Sequence, residues 1–218
     1  MQAPDATRTN AAPGVTRGSS LIVILVAATF FMENLDGTII ATALPQMARS
    51  FGLHPVDLSL GITSYLLTLA VFIPISGWAA DRFGLRTIFG SAIAVFTVAS
   101  VLCGMTSTLP AFTGARVLQG IGGAMMVPVG RLAVLRATPK DGLMRAVSII
   151  TWPGLVAPVI GPPLGGFITT YSSWRWIFYL NLPLGCIGLA LALRFLDNTR
   201  ENARRRFDVP GFVFCGLA

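Results

Sequence analysis

Residues 21–45 read LIVILVAATFFMENLDGTIIATALP, a largely apolar run that carries two carboxylates, Glu33 and Asp36, in its middle. An α-helix needs about 20 mostly apolar residues to cross the hydrocarbon core of a bilayer, and this run is long enough. A charge at such a depth is costly unless it is paired or faces water. The stretch therefore predicts a membrane-spanning helix with a functional polar site inside it.

The whole chain has the composition of a membrane protein. It is 54% hydrophobic and only 11% charged, whereas soluble proteins carry roughly 25% charged residues. The net charge of +7 would suit a nucleic-acid-binding protein, but the basic residues are scattered between apolar runs without an accompanying aromatic face. We therefore expect an all-α polytopic membrane protein that contacts lipid and binds no nucleic acid.

The sequence carries no recognisable motif of an enzyme or a metal site. His54 has no cysteine nucleophile to pair with, and no glycine-rich loop of the kind that cradles phosphate is present. Cys103, Cys186 and Cys215 lie far apart in apolar runs without metal-ligand spacing, so we interpret them as packing residues. We expect neither an enzyme nor a bound metal or cofactor.

Six apolar segments are long enough to cross a membrane. They are residues 20–44, 58–80, 87–106, 109–135, 143–170 and 174–196. The chain thus divides into a disordered cytoplasmic tail (1–18), a six-helix domain (19–196), a basic linker (197–208) and the beginning of a seventh helix (209–218), which predicts a truncated chain. A cleaved secretory signal is the competing interpretation of the first segment, but two acids separate its apolar run from any cleavage site.

Positive charges alternate between the two sides of the predicted bundle. Most of the 16 Lys and Arg residues fall before span 1, between spans 2 and 3, around the connection of spans 4 and 5, or after span 6. The opposite loops hold only Arg49 and Arg175. Because cytoplasmic loops retain Lys and Arg, we expect a cytoplasmic N-terminus.

A third charge, Arg116, is predicted at the same depth as the two carboxylates. A rise of about 1.5 Å per residue places Glu33, Asp36 and Arg116 each roughly 20 to 24 Å from the cytoplasmic side. Glu33 and Asp36 share one helix face because they are three residues apart. One arginine neutralises only one of two acids, so we expect a proton or a cation as the further partner. A static salt bridge that only fixes helix packing is the alternative.

Five stretches resemble motifs of the major facilitator superfamily. GWAADRFGLR (77–86) is similar to its loop signature G-x-L-A-D-R-x-G-R-K, and RVLQGIGGA (116–124) is similar to its span-4 signature R-x-x-Q-G-x-G. GPPLGG (161–166), LDGTIIATALP (35–45) and WRWIFYLNLPLG (174–185) resemble the fourteen-helix drug:proton antiporters, often called the EmrB/QacA type.

The resemblance is incomplete at four positions. Ala79 replaces the usual Leu of the loop signature, and Leu85 replaces the first of its two basic residues. Ala41 stands where the span-1 pattern has Asn, which removes a polar group from the implied cavity. Ala157 replaces a Gly four residues before Gly161.

The resemblance implies the N-terminal half of a transporter, with six helices arranged as two inverted three-helix repeats and followed by the start of a seventh. Its partners would be the bilayer, small lipophilic substrates with cations among them, and the missing C-terminal half. The proton gradient would supply the energy without a cofactor. The location would be the inner membrane of a bacterium.

Each motif also has an implied role. Glu33 and Asp36 would bind the proton or cation, and Arg116 and Gln119 would couple it to transport. The other implied residues are a cytoplasmic gate of Gly77, Asp81, Arg82, Gly84 and Arg86, and an antiporter motif in helix 5 of Gly161, Pro162, Gly165 and Gly166. Three prolines, Pro158, Pro162 and Pro163, predict that span 5 is bent and closely approached by another helix.

Aromatic and methionine side chains can form an apolar surface that adapts to varied substrates. The candidates for this cavity surface are Phe30, Tyr65, Met125, Met126 and Trp152. We therefore expect proton-coupled efflux of lipophilic compounds. A uniporter or importer of a small metabolite and a non-transporting membrane scaffold are the alternatives.

Overall fold

The computed structural model describes residues 17–198, which are helical apart from short connections and contain no strand. The predicted tail (1–18), linker (197–208) and seventh helix (209–218) lie outside the described residues, apart from residues 17–18 of the tail and 197–198 of the linker. The helices are α1 (Arg17–Phe51), α2 (Ser59–Phe72), α3 (Ile75–Phe83), α4 (Leu85–Met105), α5 (Leu109–Ala137), α6 (Leu143–Tyr171), α7 (Arg175–Tyr179) and α8 (Asn181–Phe195), with a 3-10 turn (Lys140–Gly142) before α6.

Six membrane spans can be assigned to these helices. α1, α4, α5 and α6 are each long and apolar enough to cross a membrane, and α7 and α8 together form a further span, Arg175–Phe195. The bent pair of α2 and α3 makes the sixth when its two helices are counted together. The all-α architecture with six apolar spans that hydropathy predicts is therefore confirmed.

Span 2 is broken, in contrast to the uninterrupted helix predicted over 58–80. α2 and α3 meet at an angle of 59°, and Pro74 lies at the break. A proline has no backbone N–H to donate, and inside a helix its ring clashes with the preceding turn. The Ser76 hydroxyl donates to the carbonyl oxygen of Ile73 (2.6 Å) and so satisfies one acceptor at the break.

The packing pairs the helices in a repeated pattern. α1 packs along α6, and α5 packs along both α2 and α4, while α8 contacts α4 and α1. In span numbers, span 1 (α1) pairs with span 5 (α6), and span 4 (α5) pairs in the same way with span 2 (α2 and α3). This pairing is the one expected for two inverted three-helix repeats.

Glycines set the close approach of the paired helices. A Cβ on Gly122 of α5 would lie 2.7 Å from the backbone nitrogen of Phe96 and 2.9 Å from the carbonyl oxygen of Ala92, both on α4. A Cβ on Gly165 of α6 would lie 2.9 Å from the carbonyl oxygen of Ile39 on α1. Small residues allow membrane helices to pack backbone against backbone. The two pairs are therefore held at a separation that only glycine permits.

The α1–α6 contact agrees with the close approach expected of span 5. α6 runs as one helix although four prolines lie inside it. A Cβ on Gly161 would meet the hydroxyl oxygen of Thr38 on α1 at 2.5 Å, whereas Gly166 has no neighbour within 4 Å. In the motif GPPLGG, Gly161 and Gly165 therefore face α1, whereas Gly166 lies on a side of α6 where an added Cβ would meet no described residue.

A polar and aromatic cluster joins the end of α1 to α7. The backbone N–H of Trp174 donates to the side-chain oxygen of Gln46 (2.7 Å), and its indole N–H donates to the hydroxyl of Ser50 (3.1 Å). The rings of Phe51 and Phe178 pack edge-on against the buried Trp174 ring. These contacts hold span 6 against span 1 and so fix the depth at which their inner residues meet.

We predict that replacing Gly122 by Ala destabilises the protein, because the added methyl would press on the backbone of α4, which cannot rotate away. Overpacking of this kind costs about 1–3 kcal/mol. Gly114→Ala on the same helix is the matched control, since a Cβ there meets nothing within 4 Å. The midpoint of thermal unfolding in detergent should fall for Gly122→Ala and stay level for Gly114→Ala; equal midpoints would contradict the argument.

Candidate functional site

A buried ion pair lies at the centre of the helices. The Arg116 guanidinium on α5 and the Asp36 carboxylate on α1 are 2.6 Å apart (Nη1 to Oδ2), and both side chains are completely buried. An unpaired charge inside a membrane protein is expensive, so each group compensates the other. The structure thus pairs Arg116 with one of the two acids that the sequence places at its depth.

Two further side chains, Gln119 and Asn181, form hydrogen bonds with the ion pair, and Ser100 supports one of them. The Gln119 amide nitrogen donates to Asp36 Oδ1 (2.9 Å), and its amide oxygen accepts from Arg116 (2.8 Å). The Asn181 amide on α8 donates both to Asp36 Oδ1 (2.9 Å) and to the Ser100 hydroxyl oxygen on α4 (3.0 Å). Both oxygens of the carboxylate are therefore occupied, and α1, α4, α5 and α8 converge on them.

The Arg116 guanidinium also lies over an aromatic ring. Its carbon is 4.1 Å from the centre of the Tyr65 ring on α2. A desolvated cation–π contact of this kind contributes about 2 kcal/mol. Tyr65 is therefore buried beneath the arginine, and α2 joins the helices that meet at the ion pair.

The second carboxylate, Glu33, has a different environment. Its Oε2 atom is buried and accepts no hydrogen bond from the described residues. The Glu33 carboxyl carbon and the Tyr65 hydroxyl oxygen lie 3.6 and 3.4 Å from the position that a Cβ would take on Gly123. The Tyr65 hydroxyl is likewise buried without a partner. The structure therefore distinguishes the two acids, because Asp36 is in an ion pair and Glu33 is not. The sequence alone provides no basis for that distinction.

Glu33 borders a cavity of about 360 Å³ between α1, α2, α5 and α6. The cavity combines apolar walls with a few polar groups, as ligand pockets generally do. Its lining consists of Phe30, Glu33, Asn34, Leu69, Ile73, Gly123, Val127, Pro128, Arg131, Thr151, Gly154 and Leu155.

Of the five cavity residues expected from the sequence, Phe30 lines this cavity. Met126 is fully buried in the core, and Met125 packs against that core. Tyr65 lies beneath Arg116, and Trp152 is 67% exposed on α6 and outside the cavity lining. Sequence pattern could not place these side chains because the rotation of each helix decides which of its faces meets the cavity.

The predicted gate residues cluster where α3, α4 and α5 end or begin. The Asp81 carboxylate accepts a hydrogen bond from Arg136 at the end of α5 (3.1 Å), and the pair is partly exposed. Gly84 connects α3 to α4 with a φ of 97°, a conformation that favours glycine. The Arg82 guanidinium lies 5.6 Å from the centre of the Trp78 ring.

The two remaining predicted gate residues have less defined surroundings. A Cβ on Gly77 would meet nothing within 4 Å in the part of the chain described. Arg86, in the first turn of α4, borders a shallow groove between α4 and α8.

Sequence reasoning missed Asn181 and Ser100. Asn181 lies within the stretch WRWIFYLNLPLG, and an amide at the centre of an apolar span is itself a signal, because a polar group there requires a partner. Ser100 offers a weaker signal, since serine hydroxyls in helices commonly bond to their own backbone.

The described cysteines form no disulfide, and Cys103 is buried while Cys186 is exposed. Cys215 lies beyond the described residues. Between residues 17 and 198, no group of three His, Cys, Asp or Glu side chains could hold a metal ion.

The family comparison covers most of the chain. Residues 26–212 match the model described as the Major Facilitator Superfamily. The match includes α1 from Val26 onward and every other described helix, together with both members of the Asp36–Arg116 pair.

Curated relatives carry the printed name "Putative multidrug resistance protein MdtD". The protein from Yersinia enterocolitica is 49% identical over 193 residues, that from Cronobacter sakazakii 52% over 189, and that from Klebsiella pneumoniae 50% over 189. These matches cover 87–88% of this chain but only 40–41% of each relative, so the chain spans about two fifths of the length of these relatives. The family match covers most of the chain and agrees with the six-span fold and the central ion pair. The chain therefore belongs to the major facilitator superfamily.

Proposed function

We propose that this segment forms the N-terminal half of a proton-coupled exporter of lipophilic compounds of the fourteen-helix EmrB/QacA type. The observation that carries the proposal is the different environment of the two acids. Asp36 is neutralised by Arg116, whereas Glu33 borders the cavity with a buried carboxyl oxygen that accepts no hydrogen bond from the described residues. A buried carboxyl group in that position is stable when it holds a proton or meets a cation.

The two carboxylates would then divide the work. Glu33 would exchange its proton for a substrate in the cavity. Asp36, one helical turn away, would sense that exchange through the field at Arg116, because charge interactions are strong in a low-dielectric interior. Gln119 and Asn181 would keep the Asp36 carboxylate oriented toward Arg116 through their hydrogen bonds.

Export is supported by two further observations. GPPLGG packs α6 closely on α1, and its pattern resembles that of antiporters. The relatives bear a multidrug-resistance name. The distribution of Lys and Arg supports a cytoplasmic N-terminus, and the bacterial relatives support the inner membrane as the location.

The function can be tested in a chimera that joins this chain to the C-terminal part of the Klebsiella pneumoniae relative. In proteoliposomes with an imposed pH gradient, the chimera should transport a lipophilic fluorescent dye, and collapse of the gradient should stop it. The 218-residue chain alone should not, because transporter cavities of this fold lie between two halves. Transport that is indifferent to the pH gradient would instead support a uniporter.

The two acids should respond differently to neutralisation. In the chimera, Glu33→Gln should abolish proton release on substrate addition while the unfolding midpoint stays near that of the parent, since no bond to Glu33 Oε2 is lost. Asp36→Asn should lower the midpoint as well, because removing one member of a buried ion pair costs about 3–5 kcal/mol. A pH dye in weak buffer and a thermal scan measure the two quantities. Proton release that persists in Glu33→Gln would refute the assignment.

The contact between Asp81 and Arg136 is expected to serve the cytoplasmic gate rather than stability. A partly exposed ion pair contributes about 0–1 kcal/mol, so Asp81→Asn should leave the unfolding midpoint of the chimera nearly unchanged. It should increase the labelling of a cysteine introduced at Thr151 by a reagent added from the cytoplasmic side. Unchanged labelling would count against a gating role.

A further inference from the structure

One positive and one negative side chain border the same cavity without pairing with each other. The cavity beside Glu33 also contains Arg131 of α5. The ion pairs between described residues are Asp36–Arg116 and Asp81–Arg136, so neither cavity charge is neutralised by a neighbour in this part of the chain. Glu33 and Arg131 are the charged members of the lining.

The position of the Arg131 guanidinium is defined by an aromatic ring. Its carbon lies 5.2 Å from the centre of the Phe30 ring, and Phe30 precedes Glu33 by three residues on α1, or about 4.5 Å of helix rise. The Glu33 carboxyl carbon lies 3.6 Å from the position that a Cβ would take on Gly123, which precedes Arg131 by eight residues on α5, or about 12 Å of helix rise. The two charged groups therefore border the cavity at different heights. The Asn34 amide and the apolar side chains of Leu69 and Val127 border the same space.

We propose that the preferred ligand of this cavity is amphoteric, a compact lipophilic molecule that carries a carboxylate for Arg131 and a protonated amine for Glu33. A guanidinium binds a carboxylate through paired, charge-assisted hydrogen bonds. A ligand that bears only a cation would leave Arg131 desolvated without a counter-charge, and one that bears only an anion would leave Glu33 protonated and without an ion-pair partner. The cavity therefore selects against ligands with a single charge.

This inference rests on the proposed function for the identity of the cavity as a substrate site, but it is tested by ligand binding rather than by proton-coupled transport. It narrows the substrate class, because lipophilic cations alone, which the two acids suggest, satisfy only one end of the cavity. A volume of about 360 Å³ lies within the range of roughly 300–1,000 Å³ that holds small organic ligands.

Binding to the 218-residue chain in lipid nanodiscs tests the inference with three probes that share one fluorescent body. These probes are norfloxacin, which carries an amine and a carboxylate, its ethyl ester, which keeps the amine, and its N-acetyl derivative, which keeps the carboxylate. Fluorescence anisotropy should show that norfloxacin binds at least about tenfold more tightly than either derivative. A tenfold ratio corresponds to about 1.4 kcal/mol.

Two substitutions should remove the preference one end at a time. Arg131→Gln should bind norfloxacin and the ester equally, and Glu33→Gln should bind norfloxacin and the N-acetyl derivative equally. Arg131→Lys should retain part of the preference. Arg145→Gln is the matched control and should behave as the parent, because Arg145 borders a separate groove with Val23 and Ile24.

The outcomes distinguish this inference from the proposed function. Equal binding of norfloxacin and its ester by the parent chain, an unchanged preference in Arg131→Gln, or no binding of any probe by a chain that is helical by circular dichroism would overturn the inference. A preference for norfloxacin without proton-coupled transport by the chimera would retain the inference and remove the proposed function.

Discussion

The ion pair between Asp36 and Arg116 is the interaction on which the rest of the bundle depends. Neither charge can be left alone at that depth, so α1 and α5 must meet at one rotation and one height. Gln119 of α5 and Asn181 of α8 both donate to the Asp36 carboxylate, and Ser100 of α4 accepts a hydrogen bond from Asn181. One electrostatic constraint therefore specifies the mutual arrangement of most of the spans.

Close packing is compatible with that electrostatic constraint but does not by itself specify how the helices are arranged. Apolar side chains gain little by leaving lipid for protein, so helices in a membrane associate through contact area and hydrogen bonds. Gly122 and Gly165 bring backbones together at the α4–α5 and α1–α6 contacts. The ion pair selects the register, and the glycines allow the helices to approach closely once that register is reached. The division explains why one glycine-rich motif lies beside Arg116 on the same helix.

Pairing Arg116 with Asp36 leaves the second carboxylate, Glu33, without an arginine partner at the ion pair. Arg116 neutralises Asp36, whereas Glu33 borders the cavity and its Oε2 atom accepts no hydrogen bond from residues 17–198. A fold that belongs to the major facilitator superfamily thus presents, in a single helical turn, one carboxylate in an ion pair and one whose Oε2 atom accepts no hydrogen bond from the described residues. Arg131 at the other end of the cavity adds a positive charge that the motifs do not include. Coupling and ligand selection would then rest on neighbouring but different side chains.

The sequence by itself determined the number of spans, the alternation of positive loops and the common depth of Glu33, Asp36 and Arg116, because hydrophobic length and helix rise are local properties of the chain. It also contained the motifs that place the chain in its superfamily. Only the tertiary structure decided that Asp36 rather than Glu33 pairs with Arg116, that Asn181 joins them, that Met126 lies in the core, and that span 2 bends at Pro74 by 59°. The physical reason is helix rotation: each residue turns a helix by about 100°, so the side-chain face that meets a partner depends on how all the helices pack together.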